Sequence, residues 1–303
     1  MKVASLFCGC GGLDLGFLQA GYDIIWSNDM DRYAVQTYNA NFNHEAICGD
    51  INSIDINSIP AHDVLIGGFP CQPFSKMGKE KGFDDDRGTL FFRVMEIIQN
   101  QKERGHQPKI VVLENVRNLL LHDKKKTFKR MKEELEALGY NVFAQPMNSA
   151  DYGVPQTRNR VFLVCFLEHI DYIFPVKEEL QTTLQDLLEE NVDDKYFLSE
   201  RILKTILSNG TGGYYSKSEI DLKIARPLTA TMAKMHRAGQ DNYVTQEKGI
   251  RRLTPRECAR LQGFPDTFTI PVSDAQAYKQ FGNAVTVNVS HAIAKSILEQ
   301  VKR

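Results

Sequence analysis

Between residues 3 and 166, short runs of β-branched and aliphatic residues alternate with longer stretches whose apolar side chains recur every three to four positions. Strand-like runs fall at residues 3–7, 23–27, 46–48, 63–66, 110–113, 141–144 and 161–166; helix-like segments fall at 13–20, 33–41, 90–101 and 125–138. A strand that returns to its sheet through a helix lies parallel to its neighbour, and the helices must then cover the sheet faces. The expected fold class is therefore α/β, a doubly wound, mostly parallel sheet. After about residue 172 the texture changes: residues 178–243 are polar and less periodic, with Gly210, Gly212 and Gly213 beside Tyr214 and Tyr215. A terminal helix is expected over 285–298. These shifts suggest three segments: 1–174 as the large α/β domain, 175–274 as a second, smaller domain with its hinge, and 275–303 as a return to the first. No internal repeat is present.

A chain of 303 residues can bury a sizeable core without staples. Its formal net charge of -1 does not announce a polyanionic partner, but the cations are clustered. Lys124, Lys125, Lys126, Lys129, Arg130 and Lys132 form one group, and Arg251, Arg252, Arg256 and Arg260 another. Either can be a solvated helix face or a phosphate-binding patch. The six cysteines contain no Cys-x-x-Cys pair, so no metal site is expected. Cys8, Cys48 and Cys165 adjoin apolar runs and are expected to be buried thiols in a reducing compartment. Residues 1–7 are too short an apolar run for a signal peptide, and no stretch approaches a membrane span, so a cytoplasmic location without membrane contact is expected.

Three strand ends carry chemistry. The turn Cys8-Gly9-Cys10-Gly11-Gly12 leaves the first strand and enters a helix, and its glycines let the backbone pass close to a ligand. Asp29, ending the second strand, is placed for ribose hydroxyls, and Asp50, ending the third, for an adenine edge or a bound water. The spacing is not the dinucleotide pattern, which suits an adenosyl group without phosphates better than NAD. Gly67-Gly68-Phe69-Pro70-Cys71-Gln72-Pro73-Phe74-Ser75 leaves the fourth strand with a thiol bracketed by two prolines, a candidate nucleophile. Glu114-Asn115-Val116 leaves the next strand with a carboxylate that can face Cys71 as hydrogen-bond donor or general acid. In Gln156-Thr157-Arg158-Asn159-Arg160 the two arginines, two residues apart on an extended segment, are expected to point the same way and grip a carbonyl or phosphate.

Taken in order with Arg252-Leu253-Thr254-Pro255-Arg256-Glu257-Cys258 and Gln280-Phe281-Gly282-Asn283-Ala284-Val285, these segments resemble the DNA cytosine-C5 methyltransferase family across most of the chain. The resemblance implies the S-adenosylmethionine-dependent methyltransferase fold with a smaller target-recognition domain. It implies a reaction on a flipped-out base, in which Cys71 adds to cytosine C6, Glu114 contacts N3 and the exocyclic amine, and Arg158 and Arg160 hold the O2 side. By position, Phe7, Cys10, Gly12, Asp29, Met30, Asp50, Ile51, Gly68, Pro70, Leu90 and Asn283 line the cofactor site. Met30 stands where close relatives carry tryptophan, which weakens stacking on the adenine, and Cys10 replaces a commoner aliphatic residue.

The same resemblance gives residues 75–89 as a mobile catalytic loop with Ser75 on DNA. Thr229 and Thr231 compete for the recognition-region threonine, with Thr231 preferred. Arg237 and Gln240 are expected to touch DNA, and Tyr214, Tyr215, His236 and Asn242 are further candidate readers. The partner implied is duplex DNA, since the variable stretch suits groove readout better than a tRNA substrate. A monomer that modifies DNA alongside a restriction endonuclease completes the expectation.

Overall fold

The computed structural model describes residues 1–69, 90–208 and 219–301. Its contacts divide the chain into two compact units. The first comprises residues 1–147, 159–176 and 290–303. It contains β1 (Lys2–Leu6), α1 (Gly12–Gln19), β2 (Asp23–Asp29), α2 (Arg32–Asn39), β3 (Ile47–Cys48), β4 (Val64–Gly68), α3 (Leu90–Glu103), β5 (Ile110–Val116), α4 (Lys126–Ala137), most of β6 (Asn141–Asn148) and β7 (Asn159–Phe166). The sheet order is β3-β2-β1-β4-β5-β7-β6. The pairs β2–β3, β1–β2, β1–β4 and β4–β5 are parallel, and β7 runs antiparallel to β5.

The central strands read as uninterrupted apolar runs because both of their faces are covered. Val64, Leu65 and Ile66 of β4 and Ile110 to Leu113 of β5 are buried, as is β7 from Val161 to Phe166. Phe91, Val94, Ile97 and Ile98 of α3 and Met131 and Leu135 of α4 join the same core. Order reverses at β1: the chain builds outward to β3, then returns to add β4 on the other side. Ligands of such sheets bind outside the carboxyl ends of the strands at that switch. All three acidic candidates sit there, Asp29 ending β2, Asp50 two residues past β3 and Glu114 near the end of β5.

Two details differ from the sequence reading. β5 continues through Glu114, Asn115 and Val116, because β7 pairs with it to its end. Cys48 is exposed, not buried; β3 is a two-residue strand at the sheet edge, with no strand paired on its outer side among the described residues.

The second unit comprises residues 148–158 and 177–289. It holds α5 (Glu200–Leu207), the antiparallel hairpin β8 (Tyr243–Gln246) and β9 (Gly249–Arg252), α6 (Pro255–Arg260) and α7 (Asp274–Asn283). α8 (Val287–Val301) begins here and closes the chain. Residues 148–158 and 275–289 thus group with this unit and not with the first. Side-chain bonds explain why: Gln156 Nε2 donates to the Leu261 carbonyl at 2.6 Å, and Gln262 Nε2 to that of Phe281 at 2.6 Å.

Three of the four cations in the second basic cluster are engaged within the protein. Arg251 is fully buried and forks onto Glu257, itself fully buried, at 2.6 and 2.7 Å. Arg260 pairs with Asp266, and Arg256 donates to the carbonyls of Pro265 and Phe268. α6 starts on a capping box: Thr254 Oγ1 accepts from Glu257 N, and the Glu257 carboxylate accepts from Thr254 N.

Candidate active site

The turn between β1 and α1 is built from left-handed residues, with φ of 55° at Phe7, 57° at Gly9 and 92° at Gly11. A Cβ at Gly11 would lie 2.3 Å from the Phe42 ring, so only glycine fits there. The turn's amides are engaged within the protein: Cys8 N donates to Asn28 O at 3.0 Å, Gly9 N to Asp29 Oδ2 at 2.8 Å and Gly11 N to Cys8 O at 2.9 Å. Those three N–H groups are therefore not aimed at a phosphate. Around them lie the Asp29 carboxylate, the exposed Asp50 and an apolar Met30 side chain that is 71% exposed. Beside Gly9 and Gly49 an added Cβ would meet nothing within 4 Å. Acceptors for ribose hydroxyls, an apolar face for a purine and open space fit an adenosyl group.

Asn28 and Asp14, which the sequence reading did not single out as site residues, hold this turn in shape. Asn28 Nδ2 donates to the carbonyls of Ile47 and Gly49, fixing β3 beside Asp29. Behind the turn, the buried Asp14 carboxylate accepts from Ser5, Ser27 and Tyr38 hydroxyls at 2.9, 3.2 and 2.9 Å. Burial raises its pKa to about 6, and the three hydroxyls offset part of that rise. The folded state thus holds this proton where the unfolded chain has lost it, so Asp14's contribution to stability falls as pH rises from about 4 through 6. Against an Asp14→Asn variant, the wild type is expected to lose on the order of 3 kcal/mol between about pH 4 and pH 7. Denaturant melts of both proteins across that range check it.

At the carboxyl end of β5, Glu114 is opposite Gly68 of β4 on one side and Phe162 of β7 on the other. Arg160, two residues from Phe162 on the same face, reaches diagonally to it, with Nε 3.0 Å from Glu114 Oε1. Glu114 is buried and Arg160 partly so, giving a carboxylate and a guanidinium fixed side by side in a largely dry position. Next to Glu114, the buried Asn115 side chain donates to the Phe69 carbonyl at 2.9 Å. It thereby ties β5 to the residue that immediately precedes Pro70 and Cys71. Phe69 itself is buried, 5.9 Å between ring centroids from Phe91. Pro70, Cys71 and Ser75 lie outside the described residues, as do Tyr214 and Tyr215.

The other expected cofactor-side residues divide between the two units. Cys10, Gly12 and Ile51 are buried, Gly68 and Leu90 partly so. Asn283 ends α7 in the second unit, with its side chain exposed.

The hydrogen bonds of Arg158 differ from those of Arg160. Arg158 is 1% exposed, and its guanidinium donates to the carbonyls of Leu228, Gly282 and Ala284 at 3.0, 3.0 and 2.9 Å. The alternation argument failed because β7 begins only at Asn159, so Arg158 precedes the extended run. Its neighbour Gln156 accepts from Leu228 N at 2.8 Å, so both main-chain groups of Leu228 are held by this motif.

Thr231, Arg237 and Gln240 come together in the second unit: Arg237 donates through Nη2 to Thr231 Oγ1 and through Nη1 to Gln240 Oε1 at 2.9 Å. Asn242 is not available as a reader. It is buried, and its amide brackets the backbone of Arg226 at 2.8 and 3.0 Å. His236 stacks on Tyr243 beside Arg252; burial and then that cation hold its pKa down at about 4, so the ring is neutral.

Residues 1–299 match the C-5 cytosine-specific DNA methylase family. The Type II methyltransferase M.NlaX of Neisseria lactamica is 42% identical over 98% of this chain and 96% of that enzyme. M.HhaI of Haemophilus parahaemolyticus is 34% identical over 98% and 94%. Among solved structures, the S. pombe Dnmt2 methyltransferase superposes with a TM-score of 0.83 over the full length of both chains at 21% identity, a likeness of fold. The sheet edge with its adenosyl-type turn and the Glu114–Arg160 pair agree with this assignment: the chain belongs to the C-5 cytosine-specific DNA methylase family and is an S-adenosyl-L-methionine-dependent DNA (cytosine-5-)-methyltransferase.

Proposed function

We propose that the enzyme flips one cytosine out of a specific duplex sequence and methylates it through a covalent adduct on Cys71. The Glu114–Arg160 pair is the observation that carries this reading. Cytosine C5 is a poor nucleophile until a group adds to C6. The Cys71 thiolate forms that S–C6 bond, pushing electron density onto C5. Glu114 holds N3 and the exocyclic amine, and Arg160 holds O2, so the ring is polarised as the thiolate adds. S-adenosyl-L-methionine, held by Asp29 and Met30, would supply an electrophilic methyl group for C5, with the neutral thioether as leaving group. Loss of the C5 proton to a base then drives β-elimination, which breaks the S–C6 bond and frees Cys71. Arg158 serves differently from Arg160, anchoring Leu228 at the root of the segment that carries Thr231.

Phe7, Cys10, Gly12, Asp29, Met30, Asp50, Ile51, Gly68, Pro70, Leu90 and Asn283 hold the cofactor, with Asp29 on the ribose and Met30 over the adenine. The second unit is the target-recognition domain, with Thr231, Arg237 and Gln240 on the DNA and Ser75 joining from the catalytic loop. The enzyme works as a monomer in the cytoplasm and protects sites cut by a partner restriction endonuclease, as befits a relative of Type II methyltransferases. Among the described residues no helix is long and apolar enough to cross a membrane.

Transfer of labelled methyl to duplex DNA, with the product base identified and its sequence context mapped, tests the reading. Label on C5 of one cytosine within one short sequence is expected. Label on tRNA alone, or on another atom of the base, overturns it.

A further inference from the structure

We propose that the segment following Glu114's strand, residues 117–126, is a surface for the phosphates of the DNA duplex. It rests on duplex DNA as the substrate. Arg117, Lys124, Lys125 and Lys126 are exposed, and among the described residues none of them forms an ion pair. Their neighbours differ. Lys129, Arg130 and Lys132 are each matched by a glutamate one helical turn on, at 3.6, 2.6 and 3.5 Å. The basic run that looked uniform in sequence therefore splits into a neutralised helix face and an unneutralised patch.

The backbone explains the split. Asp123, Lys124 and Lys125 have successive left-handed φ values of 44°, 54° and 71°, and α4 begins only at Lys126. Lys124 and Lys125 thus lie outside the helix, and the positions four residues on from Lys124, Lys125 and Lys126 are Phe128, Lys129 and Arg130, none of them acidic. Asp123 is the one carboxylate in the segment, and four cations outweigh it.

Placement makes the patch relevant to the substrate. Arg117 is three residues beyond Glu114 and follows the last residue of β5, at the carboxyl edge of the sheet. A duplex delivering a cytosine to Glu114 must approach that edge. With a net charge of -1 the protein as a whole does not attract DNA, so local unpaired cations must supply the attraction.

The test compares binding of a short cognate duplex by two triple variants, K124Q/K125Q/K126Q and K129Q/R130Q/K132Q, over roughly 50–200 mM salt. Each phosphate contact contributes about 0.9 to the slope of log K against log salt. The first variant is expected to lower that slope by about two to three and to weaken binding at low salt, with S-adenosylmethionine affinity unchanged. The second is expected to keep the wild-type slope. A wild-type slope in the first variant, or an equal drop in both, overturns the inference. A wild type that binds no duplex at all would instead remove the DNA-methylating reading on which it rests.

Discussion

Replacing Glu114 with glutamine is expected to lower kcat by about 10²–10⁴ while leaving S-adenosylmethionine affinity near that of the wild type. The substitution keeps the shape of the side chain but changes what it offers. A carboxyl group can pass a proton to the ring nitrogen as the thiolate adds; an amide can donate a hydrogen bond there but has no acidic proton to transfer. It also leaves Arg160, now 3.0 Å from its carboxylate partner, without the counter-charge that orients its guanidinium. The cofactor turn draws its hydrogen bonds from Asp29, Asn28 and Cys8. Single-turnover kinetics with saturating cofactor, alongside cofactor titration, separate the two effects. A kcat within threefold of the wild type would take Glu114 out of the chemistry.

The largest stability loss is expected from Glu257→Ala, about 3–5 kcal/mol on unfolding of the second unit. Glu257 and Arg251 have side chains with no solvent exposure. The carboxylate accepts both guanidinium nitrogens and the backbone amides of Thr254 and Glu189, each at 2.8 Å. Removing it leaves a buried cation and two amides without their acceptor. A double replacement, Arg251→Met with Glu257→Leu, removes both charges and is expected to cost less than Glu257→Ala alone, since no charge is stranded. Denaturant melts of the two variants decide it; equal losses would mean that the ion pair contributes no more than its packing.

Much of the fold could be read from residue order. Val64-Leu65-Ile66 and Ile110 to Leu113 are buried on both faces, and such strands announce themselves as unbroken apolar runs. Asp29 and Glu114 were also legible, because a carboxylate where an apolar run stops falls at a strand's carboxyl end. What failed had a tertiary cause. Arg158 looks like Arg160 in sequence, yet its partners are three carbonyls contributed by residues 70, 124 and 126 positions away. Arg251 looked like one cation of a surface cluster because its partner, Glu257, is six residues on, across the corner from β9 to α6. Asn115 carries no motif of its own, and only the fold brings the Phe69 carbonyl to it. The hairpin β8–β9 begins where the polar stretch ends and was not legible, since Tyr243 and Val244 are buried but Thr245 is exposed.

The central claim is that Cys71 bonds to the base. A duplex carrying 5-fluorocytosine at the target position tests it most directly. Fluorine at C5 cannot leave as a proton does, so elimination stalls and the S–C6 bond persists. With S-adenosylmethionine present, the wild type is expected to form a denaturant-stable protein–DNA adduct, and Cys71→Ser to form none. An adduct of equal yield in Cys71→Ser, or methylation of normal DNA by a wild type that never traps on the fluorinated duplex, would contradict the account.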